Sequence, residues 1–106
     1  MRNIRFHEIK EKMQETITNG FEPELTIRMN DKEYMIIGYK NRFSFQRCSS
    51  QKSMGGGEVF CSTIDELYTT ESVDNILLKR DWDDIKEFEC FDFELYYAQD
   101  LQNFEE

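Results

Sequence analysis

The chain has 106 residues and a formal net charge of −9, with 39% hydrophobic and 33% charged side chains. That length predicts one globular domain, residues 1–106, with 98–106 as a frayed tail. Nine Phe, five Tyr and one Trp argue against a disordered polymer. No apolar run approaches the roughly 20 residues of a membrane span, and the charged start Met1–Glu8 lacks the apolar stretch of a secretory signal. A small, acidic, cytoplasmic domain without a membrane partner is the expectation.

Residues 4–19 read as an amphipathic helix, because Phe6, Ile9, Met13 and Ile17 recur at intervals of three and four. Asn3 is the expected N-cap, Asn19-Gly20 the stop, and Phe21 the apolar contact that commonly follows such a stop. The period then changes to two. Leu25, Ile27 and Met29 alternate with polar residues, and Tyr34–Tyr39 form a more uniformly apolar strand after an Asn30-Asp31-Lys32 turn. Phe43–Cys48 and Glu58–Cys61 flank the polar, glycine-rich stretch 49–57. Connections this short join antiparallel neighbours, which predicts a four-stranded meander.

Thr63-Ile64-Asp65-Glu66 matches a capping box, so a short helix is expected through about Tyr68, burying Ile64, Leu67 and Tyr68. Leu78, Trp82 and Ile85 predict a second short helix anchored by the tryptophan. The run Phe88–Tyr97 alternates with a phase slip at Cys90-Phe91, the footprint of a bulged fifth strand with Phe91, Phe93, Leu95 and Tyr97 on one face. The expected fold class is therefore α+β: an antiparallel sheet of four to five strands, with an N-terminal helix and two short helices on one face.

Charge is distributed unevenly along the chain. Residues 1–53 carry a net +3 and residues 54–106 a net −12. Such acidity disfavours binding to a phosphate backbone, so no direct nucleic-acid partner is expected. Arg42, Arg47 and Lys40 beside Phe43 and Phe45 are better read as core aromatics with flanking cations than as a base-stacking platform. The dense carboxylates Asp81, Asp83, Asp84, Glu87, Glu89, Asp92 and Glu94 are the candidate partner-binding residues. On an alternating strand, Asp92 and Glu94 face outward about 6.5–7 Å apart, a spacing suited to a basic partner.

Catalytic signatures are absent from the sequence. The loop 49–57 has its lysine ahead of its glycines, opposite to a phosphate-binding loop. Asp81, Asp83 and Asp84 do not follow the calcium-loop pattern. Cys48, Cys61 and Cys90 form no CxxC pair, and His7 is the chain's single histidine. With a hairpin centred near Ser53, Cys48 would face Glu58 and Cys61 would face Phe45, too far out of register for a disulfide. Reduced thiols, no cofactor and no metal are the expectation.

The segments Thr63–Leu67 and Ile76–Ile85, with Glu33–Ile37 and Phe43–Phe45 upstream, resemble small uncharacterised proteins of Gram-positive bacteria, many carried on mobile elements. The resemblance spans about residues 25–88 and implies an α+β fold, with no activity or site residues attached. The leading functional expectation is a non-enzymatic interaction protein, of inhibitor or immunity type, that binds a basic protein surface. Alternatives are a self-associating homodimeric domain, pairing through its aromatic terminal strand, and a metal-dependent hydrolase using Asp81, Asp83 and Asp84.

Overall fold

The computed structural model describes residues 4–48 and 57–98. Helix α1 spans Phe6–Thr18. Asn3 lies outside the described residues, and Arg5 occupies the N-cap. Its backbone N–H donates to the Glu8 carboxylate at 2.9 Å, so the first turn is closed by an acidic side chain as capping requires. At the other end Gly20 adopts φ +95°, which glycine tolerates without a Cβ clash. Its N–H donates to the Ile17 carbonyl at 2.9 Å, and the Phe21 N–H donates to that of Thr16 at 3.1 Å, the paired bonds of a Schellman ending. Phe21 is not the apolar lid expected there. It stands 62% exposed, because the chain turns toward Pro23 and the sheet instead of folding back on the helix.

Strands β1 (Glu24–Met29), β2 (Lys32–Gly38), β3 (Phe43–Cys48) and β4 (Glu58–Cys61) form the expected antiparallel meander. The β1–β2 hairpin closes on two residues, Asn30 and Asp31, at φ 54° and 61°. Two consecutive positive φ values match the twist of a two-residue hairpin, and Asn and Asp accept that region more readily than other non-glycine residues. Stretch 49–56, with the expected loop, lies outside the described residues.

The chain then crosses the sheet in two short helices, α2 (Ile64–Thr69) and α3 (Leu78–Asp81), with single 3₁₀ turns at Val73–Asn75 and Trp82–Asp84. Thr63 caps α2 as expected: its hydroxyl accepts the Glu66 N–H at 3.0 Å, while the Glu66 carboxylate accepts the Ser62 N–H at 2.9 Å. Leu78, Trp82 and Ile85 are all buried, and the Trp82 indole N–H donates to the Ile4 carbonyl at 2.8 Å.

The C-terminal run departs from the single bulged strand. It forms two strands, β5 (Glu87–Cys90) and β6 (Leu95–Ala98), joined by a turn at 91–94. The phase slip at Cys90-Phe91 thus marks a hairpin, with Glu94 at φ 56° closing the turn and Phe91 left 86% exposed. The sheet has six strands in the order β4-β3-β2-β1-β5-β6, since β5 pairs with β1 across the sheet from β4. Residues 99–106 lie outside the described residues.

The pairing register sorts side chains onto two faces. Leu25, Ile27, Met29, Tyr34, Ile36, Phe43, Phe45, Phe88 and Cys90 face the helices and join one core with Ile9, Met13, Ile64, Leu67, Val73, Ile76, Leu78, Trp82 and Ile85. An aromatic group closes that core under α1. Phe6 stacks on Tyr68 with ring centroids 3.7 Å apart, and both meet Trp82 edge-on. At Gly38 a Cβ would stand 2.9 Å from the Ile17 Cδ1 and 3.1 Å from the Phe43 ring, so glycine lets α1 approach β2 closely.

Candidate interaction surface

The face of the sheet turned away from the helices carries Glu24, Thr26 and Arg28 from β1, Glu33, Met35 and Ile37 from β2, Ser44, Gln46 and Cys48 from β3, Glu58 and Phe60 from β4, and Glu87 and Glu89 from β5. Ile37 is buried yet stands outside the main core, as its place on this second face requires. Alternation at period two puts most apolar residues of each strand on the core side, and the charges named on this second side are carboxylates apart from Arg28.

Arg28 organises one end of this face. Its guanidinium bonds to Glu87 on β5 and to Glu33 on β2, the latter at 2.8 Å. The hydrogen bond to Glu87 holds Arg28 more firmly protonated than usual, working against partial desolvation, and the charges of Glu87, Glu33 and Glu89 add to it. One cation is thus surrounded by three carboxylates. At the opposite corner Arg42 lies over the Phe60 ring, 4.1 Å from its centroid, and 5.4 Å from that of Tyr39. The planar guanidinium on an aromatic face is a favourable arrangement. Between these corners, Met35 and Ile37 form an apolar centre.

The seven carboxylates singled out from the sequence separate into three places. Glu87 and Glu89 lie on the sheet face just described. Asp92 and Glu94 sit in the 91–94 turn, not along a strand, so the regular spacing expected of them is not present. Asp92 accepts the Glu24 backbone N–H at 3.0 Å and so ties the turn to the start of β1. Asp81, Asp83 and Asp84 belong to α3 and the following 3₁₀ turn on the helical side. Asp81 bonds to Arg80 at 2.8 Å and accepts the Leu77 N–H at 3.0 Å. Those bonds, the arginine's first, hold its carboxyl below the usual carboxylate range. Asp83 and Asp84 are exposed.

The uneven charge of the two chain halves is partly cancelled in space. Lys10 pairs with Asp65 at 2.7 Å, Arg47 with Asp74 at 3.1 Å and Arg28 with Glu87, each a cation of the first half meeting an acid of the second. The cations near β3 do not form a patch. Arg42 lies on the sheet's second face, whereas Arg47 turns to the helical side and grips Asp74 with both carboxylate oxygens at 3.1 Å. Phe43 and Phe45 are core residues, as expected.

Asp74 has a second partner that the sequence did not suggest. The buried Tyr34 hydroxyl donates to it at 2.7 Å. Burial, followed by this bond and the charge of Asp74, pushes the Tyr34 phenol well above its ordinary value. Asp74 and Asn75 both sit at positive φ, 56° and 63°, and the Arg80 guanidinium donates to the Asn75 carbonyl at 3.0 Å. These contacts hold the turn between α2 and α3 against β2 and β3.

None of the three cysteines forms a disulfide. Cys48 and Cys61 lie on opposite faces because Phe43 is registered with Cys61 and Gln46 with Glu58. That register is shifted by two residues from the hairpin centred near Ser53. Burial raises the Cys61 and Cys90 thiols above their ordinary value, against the reactive direction. Among the described residues, no group of three or more His, Cys, Asp or Glu side chains is arranged to hold a metal ion. No helix among them is long and apolar enough to cross a membrane.

A shallow groove of about 380 Å³ runs between α1 and the C-terminal hairpin, lined by Ile4, Glu8, Ile9, Glu11, Lys12, Glu15, Phe93 and Leu95. Compared with family models, with curated proteins and with solved structures, the chain finds no significant match.

Proposed function

We propose that the protein is a non-enzymatic interaction module, of inhibitor or immunity type, that docks the acidic face of its sheet onto a basic protein surface. The observation that carries this reading is the arrangement of Glu24, Glu33, Glu58, Glu87 and Glu89 around Met35, Ile37 and Phe60 on the face that no described helix covers. An apolar centre with a charged surround is the ordinary plan of a protein–protein contact. A carboxylate surround selects a cationic partner, chiefly through association rate and specificity. Glu87 and Glu89 come from the acidic run, while Glu24, Glu33 and Glu58 join them by strand pairing. Three cysteines outside any disulfide suit a reducing compartment such as the cytoplasm.

The test is binding to a candidate basic partner, measured at low and high salt, with Glu58→Lys/Glu89→Lys beside Asp83→Lys/Asp84→Lys. The sheet-face pair should slow association about tenfold or more at low salt and flatten its salt dependence, while the helical-side pair should bind nearly as wild type. Binding that ignores both salt and the sheet-face changes would refute the reading.

A further inference from the structure

The layer of helices over the core face stops at α1. One flank of α1 has a partner: Lys10 pairs with Asp65 of α2, and Phe6 stacks on Tyr68. The other flank faces Phe93 and Leu95 across the groove, and both are half-buried at the margin of the core. Strand β6 is the last strand of the sheet, and among the described residues its outer edge has no partner strand. An open strand edge beside a half-covered apolar floor is a template for one more strand.

Charge decides what that strand is. The α1 flank presents Glu8, Glu11 and Glu15 against a single Lys12, and Glu94 stands in the turn at the end of the floor. Among the described residues, Glu11 and Glu15 take part in no ion pair. The chain's own segment 99–106 contains Asp100, Glu105 and Glu106 and no cation, so its charge has the same sign as this rim. A second copy would bring the same acidic flank against it and a net charge of −9. A foreign segment with alternating apolar and basic residues meets both requirements: its apolar side chains fall on Phe93 and Leu95, its Lys or Arg side chains meet the exposed α1 glutamates Glu11 and Glu15, and its backbone bonds to β6.

We propose that the groove between α1 and β6 binds an extended basic segment of a partner protein by strand addition to β6. This rests on the function proposed above only for the sign of the partner's charge, since it concerns a different surface.

The probe is a short synthetic peptide in which lysine and valine alternate, labelled for fluorescence anisotropy and titrated with the full chain. Controls are the same peptide with glutamate for lysine, and with backbone N-methylation at alternate residues. Binding of the lysine peptide is expected. Glu11→Lys/Glu15→Lys should weaken it about tenfold or more, as should N-methylation, which removes the strand's donors. Both glutamates are exposed, and an unchanged unfolding midpoint verifies that the variant is folded. Equal binding of the glutamate peptide, tolerance of N-methylation, or no binding at all overturns the proposal. So does a dimer in light scattering that Leu95→Lys dissociates, because a second copy then fills the site. If binding responds to Glu58→Lys/Glu89→Lys and not to Glu11→Lys/Glu15→Lys, the groove is refuted while the acidic sheet face stands.

Discussion

At the β4 end of the sheet, α2 lies against β3 and β4, and Phe43, Phe45 and Cys61 are sealed beneath it with Ile64 and Leu67. At the β6 end nothing among the described residues continues the layer past α1. Phe93 and Leu95 remain half-buried, and Phe91 projects into solvent from the turn. The same antiparallel pairing builds both ends, so the difference comes from where the connecting helices run. The α2–α3 crossover must carry the chain from β4 back to β1, which places α2 over β3 and β4 and leaves β6, added last, beyond its reach. The core is thus closed by helices at one end, and at the other its marginal residues stay half-open.

Substitutions sharpen that contrast. Phe45→Ala, at a position with no exposed area, should cost about 3–5 kcal/mol in denaturant unfolding, while Leu95→Ala should cost markedly less because its site is already part-open. Equal costs would mean that the β6 end is as tightly built as the β4 end. Gly38→Ala should cost about 1–3 kcal/mol by overpacking against Ile17 and Phe43. Adding Ile17→Val removes the methyl it meets, so the double variant should lose less than the sum of the two single changes.

The Tyr34–Asp74–Arg47 cluster belongs to the stable end. Asp74→Ala leaves a buried hydroxyl and a guanidinium without their acceptor, at a cost of about 1–3 kcal/mol. Since Tyr34 has a raised pKa in the folded state, the folded chain keeps a proton that the unfolded chain releases near the ordinary tyrosine value of about 10. Its contribution is complete below that pH and is lost as pH rises above it. Tyr34→Phe should flatten the alkaline limb of a stability–pH curve, and an unchanged limb would place Tyr34 outside the coupling. At the smallest scale, Phe91→Ser should move the unfolding midpoint by no more than about 0.5 kcal/mol, because an exposed turn residue gives up little on truncation.

Local pattern was enough to read α1 from its three-and-four spacing, its end at Asn19-Gly20, the meander from alternation between short turns, the Thr63 cap, and the buried trio Leu78, Trp82 and Ile85. Each of these depends on neighbours within a few residues. The C-terminal run reads as one bulged strand because a hairpin and a bulge leave the same slip in period, and only pairing tells them apart: Cys90 with Leu95 closes a turn. The candidate carboxylates were legible as residues and not as a surface. Adjacency along the chain puts Asp81 and Glu87 together, but α3 and β5 carry them to different sides.

By itself, then, the sequence determined the first helix, the four-strand meander and most of the side chains that are buried, since these follow from backbone preference and local periodicity. The tertiary structure alone decided that Glu24, Glu33, Glu58, Glu87 and Glu89 share a face, that Asp74 completes a cluster with Tyr34 and Arg47, and that the helical layer ends before β6. Those facts depend on strand order and register, where residues far apart in the chain meet only because one sheet aligns them.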